Sequence, residues 1–191
     1  AERLRQEFGP FWKQGPYPHG PIGMDAEWEE GTEGVDVLQL SHPQQALLLD
    51  MPALVSTAEG RRALHETVGQ LLHSVDTTVV GFACRQDLSR LRRHDSNDWL
   101  VGTRAVVDIQ PMVLAKEPSL AAATVSRVGL ARMCQYFLGK PLDKSEQCSY
   151  WGARPLSVGQ RSYAALDAWV CAAVYQQLYP PNEDGKEGVD P

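Results

Sequence analysis

Four carboxylates and one tyrosine occupy three separated segments whose other residues are mostly apolar. In chain order they are Asp25, Glu27, Asp87, Tyr163 and Asp167. A buried carboxylate without a partner is costly, so acids in apolar surroundings need a reason to be there. A bound divalent cation would supply that reason, and the sequence therefore predicts a metal site.

The spacing of these residues suggests how they meet. Asp25 and Glu27 are two positions apart in a strand-like segment, so they share a face of a sheet. Tyr163 and Asp167 are four apart in a helical pattern and share a face of a helix. Asp87 follows a buried strand at the start of a helix, which is where sites assemble in α/β sheets. A helix crossing the sheet would bring all five groups together.

The types of ligand indicate the chemistry. Oxygen ligands without Cys or His suit Mg²⁺ or Mn²⁺ rather than zinc. Two such ions about 4 Å apart can flank a phosphodiester, and Asp25, central in its strand, is the natural ligand to bridge them. The phenol of Tyr163 has an ordinary pKa of about 10 and is a poor base at neutral pH. Its hydroxyl is suited to orienting the attacking water.

Length and composition predict one domain with tails. The chain has 191 residues, 43% of them hydrophobic, which is enough for a full core. We expect a lead-in segment over 1–20, one domain over 21–179 and a disordered tail or linker over 180–191. Because the first residue is Ala1 rather than Met, we expect a fragment of a larger chain. We also expect this domain to be monomeric.

Charge and cysteine content bear on partners and compartment. The net charge is −6, with ten acidic and three basic residues in 1–60 but three acidic and six basic residues in 120–180. A polyanion would have to bind through this local basic zone and through bound cations. The four cysteines lack metal-ligand spacing and predict free thiols in a reducing compartment. No segment resembles a membrane span, so we expect a soluble protein. Together with the free thiols, this leads us to expect an intracellular location, with the cytoplasm favoured over the nucleus.

The hydrophobic patterns predict an α/β fold. Strands are expected over 21–28, 35–41, 46–50, 77–83 and 105–109, and helices over 59–73, 86–93, 125–138 and 157–178. Short turns join the early strands, which predicts antiparallel pairing, whereas helices join the later strands, which predicts parallel pairing. The expected architecture is a mixed sheet flanked by helices.

Several further residues are candidates for contacts near the site. Trp28 adjoins the metal-binding strand and is either a core residue or the wall of a pocket for the terminal base. Lys140 and Lys144 precede the third segment and are candidates for positioning phosphate. The basic run 90–94 is expected to be a solvated helix face, with phosphate contact as the alternative. Asp108 is expected to be structural or to support the metal ligands.

The three segments resemble the motifs of the DEDD superfamily of 3′–5′ exonucleases. Asp25 and Glu27 match its Asp-x-Glu motif, and Asp87 matches its second motif. Tyr163 and Asp167 match the Tyr-x-x-x-Asp of its tyrosine subclass. The histidine subclass would carry His at the position that Ser occupies here, residue 162.

The resemblance extends between the motifs. Segments 37–40, 138–145 and 154–156 are most similar to the mut-7/Nibbler exonuclease group, and the similarity covers about residues 21–179. It implies an RNase H-like fold with two divalent cations, Mg²⁺ or Mn²⁺, held by the four carboxylates. It also implies hydrolysis from the 3′ end that releases 5′-mononucleotides, with single-stranded or small RNA favoured as substrate. Two alternatives stay open: a DNA exonuclease of repair or proofreading type, and a catalytically silent nucleic-acid-binding module.

Overall fold

The computed structural model describes residues 1–6, 20–74, 77–94, 106–121 and 128–180. The predicted tail from residue 181 onwards lies outside the described residues, as does most of the predicted lead-in segment. Residues 1–6 pack against the domain, with Leu4 buried and Arg5 Nε donating to the Glu66 carboxylate at 2.9 Å. No described helix combines the length and the apolar character needed to cross a lipid bilayer.

A five-stranded mixed sheet forms the centre of the fold, in the order β3-β2-β1-β4-β5. Its strands are β1 (Ile22–Glu27), β2 (Val37–His42), β3 (Gln45–Asp50), β4 (Val79–Gly81) and β5 (Val106–Asp108). The first three strands pair antiparallel, and β4 and β5 run parallel to β1. The predicted architecture and both predicted pairing modes are therefore confirmed.

Helices follow the strands and cover the sheet. Their bounds are α1 (Met51–Val55), α2 (Ala58–Leu64), α3 (Arg85–Leu91), α4 (Ile109–Lys116), α5 (Leu130–Met133) and α6 (Val158–Leu178). The π-helical turn His65–Gly69 follows α2, and the π-helical turn Cys134–Leu138 follows α5. The helical turn Gln70–His73 then completes the predicted helix 59–73. The first three residues of the predicted helix 125–138 lie outside the described residues.

Three elements differ from the prediction. The strand predicted over 77–83 is confined to β4, because the chain turns at residues 82–84 and Ala83 adopts a φ of 50°. The strand predicted over 105–109 ends at Asp108, whose side chain accepts from the Gln110 N–H and so starts α4. The sequence reasoning missed α1, where Asp50 accepts from the Ala53 N–H.

The longest helix, α6, is the element that brings the last segment to the sheet. Ser157 and Gln160 form a capping box at its start, which fixes where the helix begins. It packs across β1 and β2. At the crossing, a Cβ atom on Gly23 would lie 1.8 Å from the Ala168 carbonyl oxygen. The absence of a side chain at Gly23 therefore lets α6 approach β1 closely.

Candidate active site

Three elements deliver the predicted site residues to one cleft. Asp25 and Glu27 project from β1, Asp87 lies in the first turn of α3, and Tyr163 and Asp167 lie one turn apart on α6. The cleft has a volume of about 480 Å³, and all five residues line it. The structure thus brings together the groups that the motifs predicted.

The carboxylates form a tight group. One oxygen from each of Asp25, Glu27 and Asp167 lies within 4.8 Å of the others. Asp87 lines the same cleft but stands outside this group of three. Its side chain is buried, at 6% exposure, as is that of Asp167 at 2%.

Burial and mutual repulsion hold protons on these carboxylates. Burial raises the pKa of Asp25 well above its usual range, and the neighbouring Asp87 and Asp167 raise it further. Burial, with Asp25 next in importance, raises the pKa of Glu27 to about 9. Burial and then Asp108 raise the pKa of Asp87 to about 7. Such a set is unfavourable when fully ionised unless cations neutralise it.

Lys144 supplies one cation from within the chain. Its ammonium Nζ lies 2.5 Å from Asp167 Oδ2 and donates to the Tyr163 hydroxyl oxygen at 3.2 Å. Burial still raises the pKa of Asp167, although Lys144 opposes the shift. Of the two predicted lysines, Lys144 lines the cleft, whereas Lys140 is exposed and is not among the described residues that line it.

The donor set fits divalent cations. Asp167 Oδ1 is buried and accepts no hydrogen bond from any described residue, so one oxygen of this carboxylate is free to bind an ion. Asp25 and Glu27 place further carboxylate oxygens beside it. Clustered carboxylate oxygens are the ligands that Mg²⁺ and Mn²⁺ prefer.

Tyr163 is held in a rigid setting. It is buried, and its ring centroid lies 5.9 Å from that of the fully buried Trp151. Arg154 fixes the Trp151 loop by donating from Nη1 to the Trp151 carbonyl at 2.8 Å and from Nε to Asp50 at 2.6 Å. Burial, followed by Asp167 and Glu27, raises the pKa of Tyr163 above its usual range. The phenol therefore stays protonated at neutral pH.

Asp108 supports the turn that precedes Asp87. Its Oδ1 accepts from the Ala83 N–H at 3.0 Å and from the Gln110 N–H at 2.9 Å. The first of these bonds holds the strained left-handed residue between β4 and α3. Asp108 thus has the structural role that the sequence predicted, and it does not line the cleft among the described residues.

The basic run after the second motif contacts the loop between β1 and β2 instead of forming a solvated face. Arg90 donates to the Thr32 carbonyl, His94 Nε2 accepts from the Val35 N–H at 2.7 Å, and Arg93 pairs with Glu33. The predicted solvated face is therefore wrong for Arg90 and His94, because the acidic loop folds back over α3, whereas Arg93 pairs with Glu33 and stays exposed. Arg92 is exposed, as expected.

Some cleft residues escaped the sequence reasoning. Phe82, Gln147 and residues 129–131 also line the cleft. Phe82 had a usable signal, because it directly follows a parallel strand at the edge where sites form. Gln147 had none, because its place depends on how the irregular segment 139–157 folds. Trp28 lines the cleft and also packs against the core, so its position is compatible with both predicted roles, a core residue and a wall of the pocket.

The mixed sheet, the crossing helix and the carboxylate cleft together define an RNase H-like nuclease fold. Residues 12–181 match the family model described as 3′–5′ exonuclease, so the chain belongs to this family. The resemblance found in the sequence is thereby confirmed.

Individual relatives agree with this assignment. The chain is 32% identical over 174 residues to the human exonuclease mut-7 homolog, covering 84% of this chain and 20% of the relative. It therefore spans about a fifth of that protein's length.

Solved structures show the same fold. The Nibbler EXO domain of Aedes aegypti superimposes with a TM-score of 0.71 at 23% identity, covering 93% of this chain and 84% of that one. Trypanosoma brucei RNase D in complex with RNA U12 gives a TM-score of 0.66 at 20% identity, covering 96% and 61%.

Proposed function

We propose that this domain is a metal-dependent 3′–5′ exonuclease that acts on single-stranded or small RNA. The observation that carries the proposal is the meeting of Asp25, Glu27 and Asp167 within 4.8 Å in an open cleft, with Tyr163 and Asp87 beside them. Membership of the 3′–5′ exonuclease family supports the direction of attack.

In the proposed reaction, water adds to the phosphorus of the last phosphodiester and the bond to the 3′ oxygen of the preceding nucleotide breaks. The products are a 5′-mononucleotide and a shortened strand with a new 3′-hydroxyl. We assign Asp25, Glu27, Asp87 and Asp167 as the residues that would hold two Mg²⁺ or Mn²⁺ ions. Such ions, when bound, lower the pKa of water and offset the charge on the phosphate.

The remaining residues position the reactants. Tyr163 keeps its proton at neutral pH, so we assign its hydroxyl to orient the attacking water by hydrogen bonding. Lys144 stands beside it and is the candidate to hold the phosphate once its contact with Asp167 is released. Lys140 stays a weaker candidate because it lies on the exposed surface.

RNA is favoured over DNA by two similarities. The chain resembles an RNase D that has been solved with RNA, and it resembles a mut-7 homolog. All four cysteines lie in the described part of the chain and are free thiols, which supports a reducing intracellular setting. We propose that the domain acts there as part of a larger chain.

The test is a time course on 3′- and 5′-labelled single-stranded RNA and DNA with Mn²⁺ or EDTA. Asp25→Ala should abolish hydrolysis while keeping the native circular dichroism spectrum, because it removes the central ligand and leaves the core intact. Glu30→Ala, which removes an exposed acid just after β1, should retain full activity.

The outcomes separate the alternatives. A metal-dependent ladder that shortens RNA from the 3′ end and is absent in Asp25→Ala supports the proposal. Faster shortening of DNA would favour the repair type of exonuclease. Hydrolysis in EDTA, or by Asp25→Ala, would contradict the mechanism. Absence of cleavage of any substrate would favour a silent nucleic-acid-binding module.

A further inference from the structure

We infer that Arg90 is a positioning residue that holds the Trp28 ring as a flat wall of the cleft, against which the base of the 3′-terminal nucleotide stacks. The inference rests on the proposed function, because it concerns how the same cleft grips its substrate. It assigns to Arg90 a role that differs from phosphate contact and from a solvated surface.

The position of Trp28 is the first observation. It follows β1 directly, and its side chain lines the same cleft as the carboxylates. The side chain is half-buried and lines the cleft together with Phe82, which directly follows the neighbouring parallel strand β4. An indole at this place offers an aromatic face to a group bound beside the carboxylates.

The contact with Arg90 is the second observation. The guanidinium carbon of Arg90 lies 4.4 Å from the centre of the Trp28 ring. Trp28 lines the cleft, whereas Arg90 is not among the described residues that do so. The inferred stacking needs the opposite face of the indole to be open to the cleft where substrate would bind.

Hydrogen bonds fix the guanidinium in this place. Nη1 of Arg90 donates to the Thr32 carbonyl at 2.6 Å and to the Gly34 carbonyl at 3.2 Å. These carbonyls belong to the loop that continues from Trp28 to β2. Arg90 therefore ties this loop to α3, the helix that also carries Asp87. Its Nη1 is used for loop carbonyls and is not turned toward a phosphate.

The chemistry of such a wall suits an exonuclease that must accept any base. Stacking of a base on an aromatic face is tolerant of sequence, because every base has a π-face. A ring that is already fixed does not have to be ordered when substrate binds, so less affinity is lost. Arg90 would supply that order through stacking and two hydrogen bonds.

The experiment compares two single-stranded RNAs that differ only at the last nucleotide, which either carries a base or is abasic. Their affinities are measured by fluorescence anisotropy with Ca²⁺ in place of Mn²⁺, and kcat and KM are measured with Mn²⁺. The variants are Arg90→Met, which keeps the apolar stem, and Arg90→Lys, which keeps the charge but loses the planar group. Trp28→Leu and the double variant Arg90→Met with Trp28→Leu complete a cycle.

Arg93→Met is the matched control. Arg93 pairs with Glu33 of the same loop at 3.1 Å, but both side chains are more than half exposed. Removing it takes a charge from the same region without touching the ring.

We expect the wild type to bind the strand with a terminal base about tenfold more tightly than the abasic strand. Arg90→Met and Arg90→Lys should reduce this ratio to about two or three, mainly by raising KM for the strand with a base. Arg93→Met should keep the wild-type ratio. The double variant should bind no more weakly than Trp28→Leu alone.

The inference would be overturned if folded Arg90→Met or Arg90→Lys kept the wild-type preference for the strand with a terminal base. It would also be overturned if the wild type bound the two strands equally well. Thermal melts identify a variant that fails to fold, and Arg90→Lys then decides the matter. If the wild type shows the binding ratio but hydrolyses nothing, the proposed function fails and the assignment of Arg90 stands. If the wild type hydrolyses RNA but binds the strands with and without a terminal base equally well, only the assignment of Arg90 fails.

Discussion

Lys144 and a bound metal ion would compete for the carboxylate of Asp167. Its ammonium touches Asp167 Oδ2 at 2.5 Å, while the other oxygen of the same carboxylate has no described partner. A carboxylate paired with an ammonium is less negative toward a second cation. Binding of a metal ion would therefore have to weaken or displace this ion pair.

Replacing Lys144 should therefore strengthen metal binding. We expect Lys144→Met to bind Mn²⁺ several-fold more tightly than the wild type in the absence of nucleic acid, because the internal competitor is gone. Isothermal titration calorimetry with Mn²⁺ measures this directly. The metal-free variant should melt at a lower temperature, since Asp167 has lost its counter-ion.

Lys140→Met is the control, because Lys140 is exposed and lies outside the described lining of the cleft. Equal Mn²⁺ affinities for the two variants would show that Lys144 does not compete with metal. A weaker affinity in Lys144→Met would mean instead that the lysine organises the carboxylates for the ion.

At the scale of residues, the acidic site residues could be predicted from the sequence better than the contacts that hold the residues around them. Asp25, Glu27, Tyr163 and Asp167 are recognisable because strand and helix periods fix which side chains share a face. The stack of Arg90 on Trp28 was not predictable, because it joins segments about 60 positions apart through a loop that no period describes.

At the scale of elements, the distance between α6 and β1 decides whether the carboxylates meet. Gly23 stands where the two elements touch, and any side chain there would overlap the Ala168 carbonyl oxygen. Ala168 directly follows Asp167. A displacement of the helix at this contact therefore moves a proposed metal ligand away from Asp25.

Gly23→Ala should destabilise the domain and impair the site together. We expect a loss of about 2 kcal/mol in the free energy of unfolding, because the added methyl group has no space. The activity of the folded fraction should fall as well, since Asp167 is displaced. Urea denaturation and the RNA ladder assay measure the two effects.

Gly129→Ala is the control for stability, because a Cβ atom there would meet nothing within 4 Å. A Gly23→Ala protein as stable and as active as the wild type would show that the helix tolerates a wider spacing than the structure indicates.

Regular elements were predictable from hydrophobic periods, whereas their ends were set by contacts. The mixed sheet and α6 match the expected patterns, because strands and a long helix repeat their periods. The end of β4 was not predictable, because a hydrogen bond from Ala83 to the distant Asp108 fixes the turn. The π-helical turn at His65–Gly69 likewise has no sequence pattern of its own.

At the scale of the whole molecule, two groups make stability depend on pH in opposite directions. Where the pKa of a carboxylate is raised on folding, the folded state binds more protons, so the free energy of unfolding falls as pH rises toward that pKa. This applies to Asp87, with a pKa of about 7, and to Glu27, with a pKa of about 9.

His94 has the opposite effect. Burial lowers its pKa, although the contact with Val35 opposes the shift. Its stabilising contribution is therefore complete above its ordinary pKa of about 6.5 and is lost as pH falls below that value. The Val35 carbonyl, which lies 3.1 Å from Nε2, accounts for the opposing contribution, because it can accept a hydrogen bond from the protonated ring.

Without metal, the melting temperature should therefore decline as pH rises from about 5 to about 9, because the raised pKa values of the cleft carboxylates outweigh the opposing effect of His94. Mn²⁺ should remove the alkaline decline, because a bound ion stabilises the ionised carboxylates. Glu27→Gln should reduce the decline in EDTA, by about 1 kcal/mol in the free energy of unfolding at pH 9. Thermal melts across this range in EDTA and in Mn²⁺ measure these effects.

Glu30→Gln, at an exposed position, should leave the alkaline decline unchanged. A metal-free protein that becomes more stable from pH 7 to pH 9 would contradict the assignment of raised pKa values to the cleft.

The order of the elements along the chain has a consequence for biosynthesis. Asp25 and Glu27 leave the ribosome early, but Tyr163 and Asp167 belong to α6, which follows every other described element. A growing chain therefore carries an incomplete ligand set until this helix has emerged and docked on β1. The proposed nuclease would thus stay inactive at least until α6 has docked.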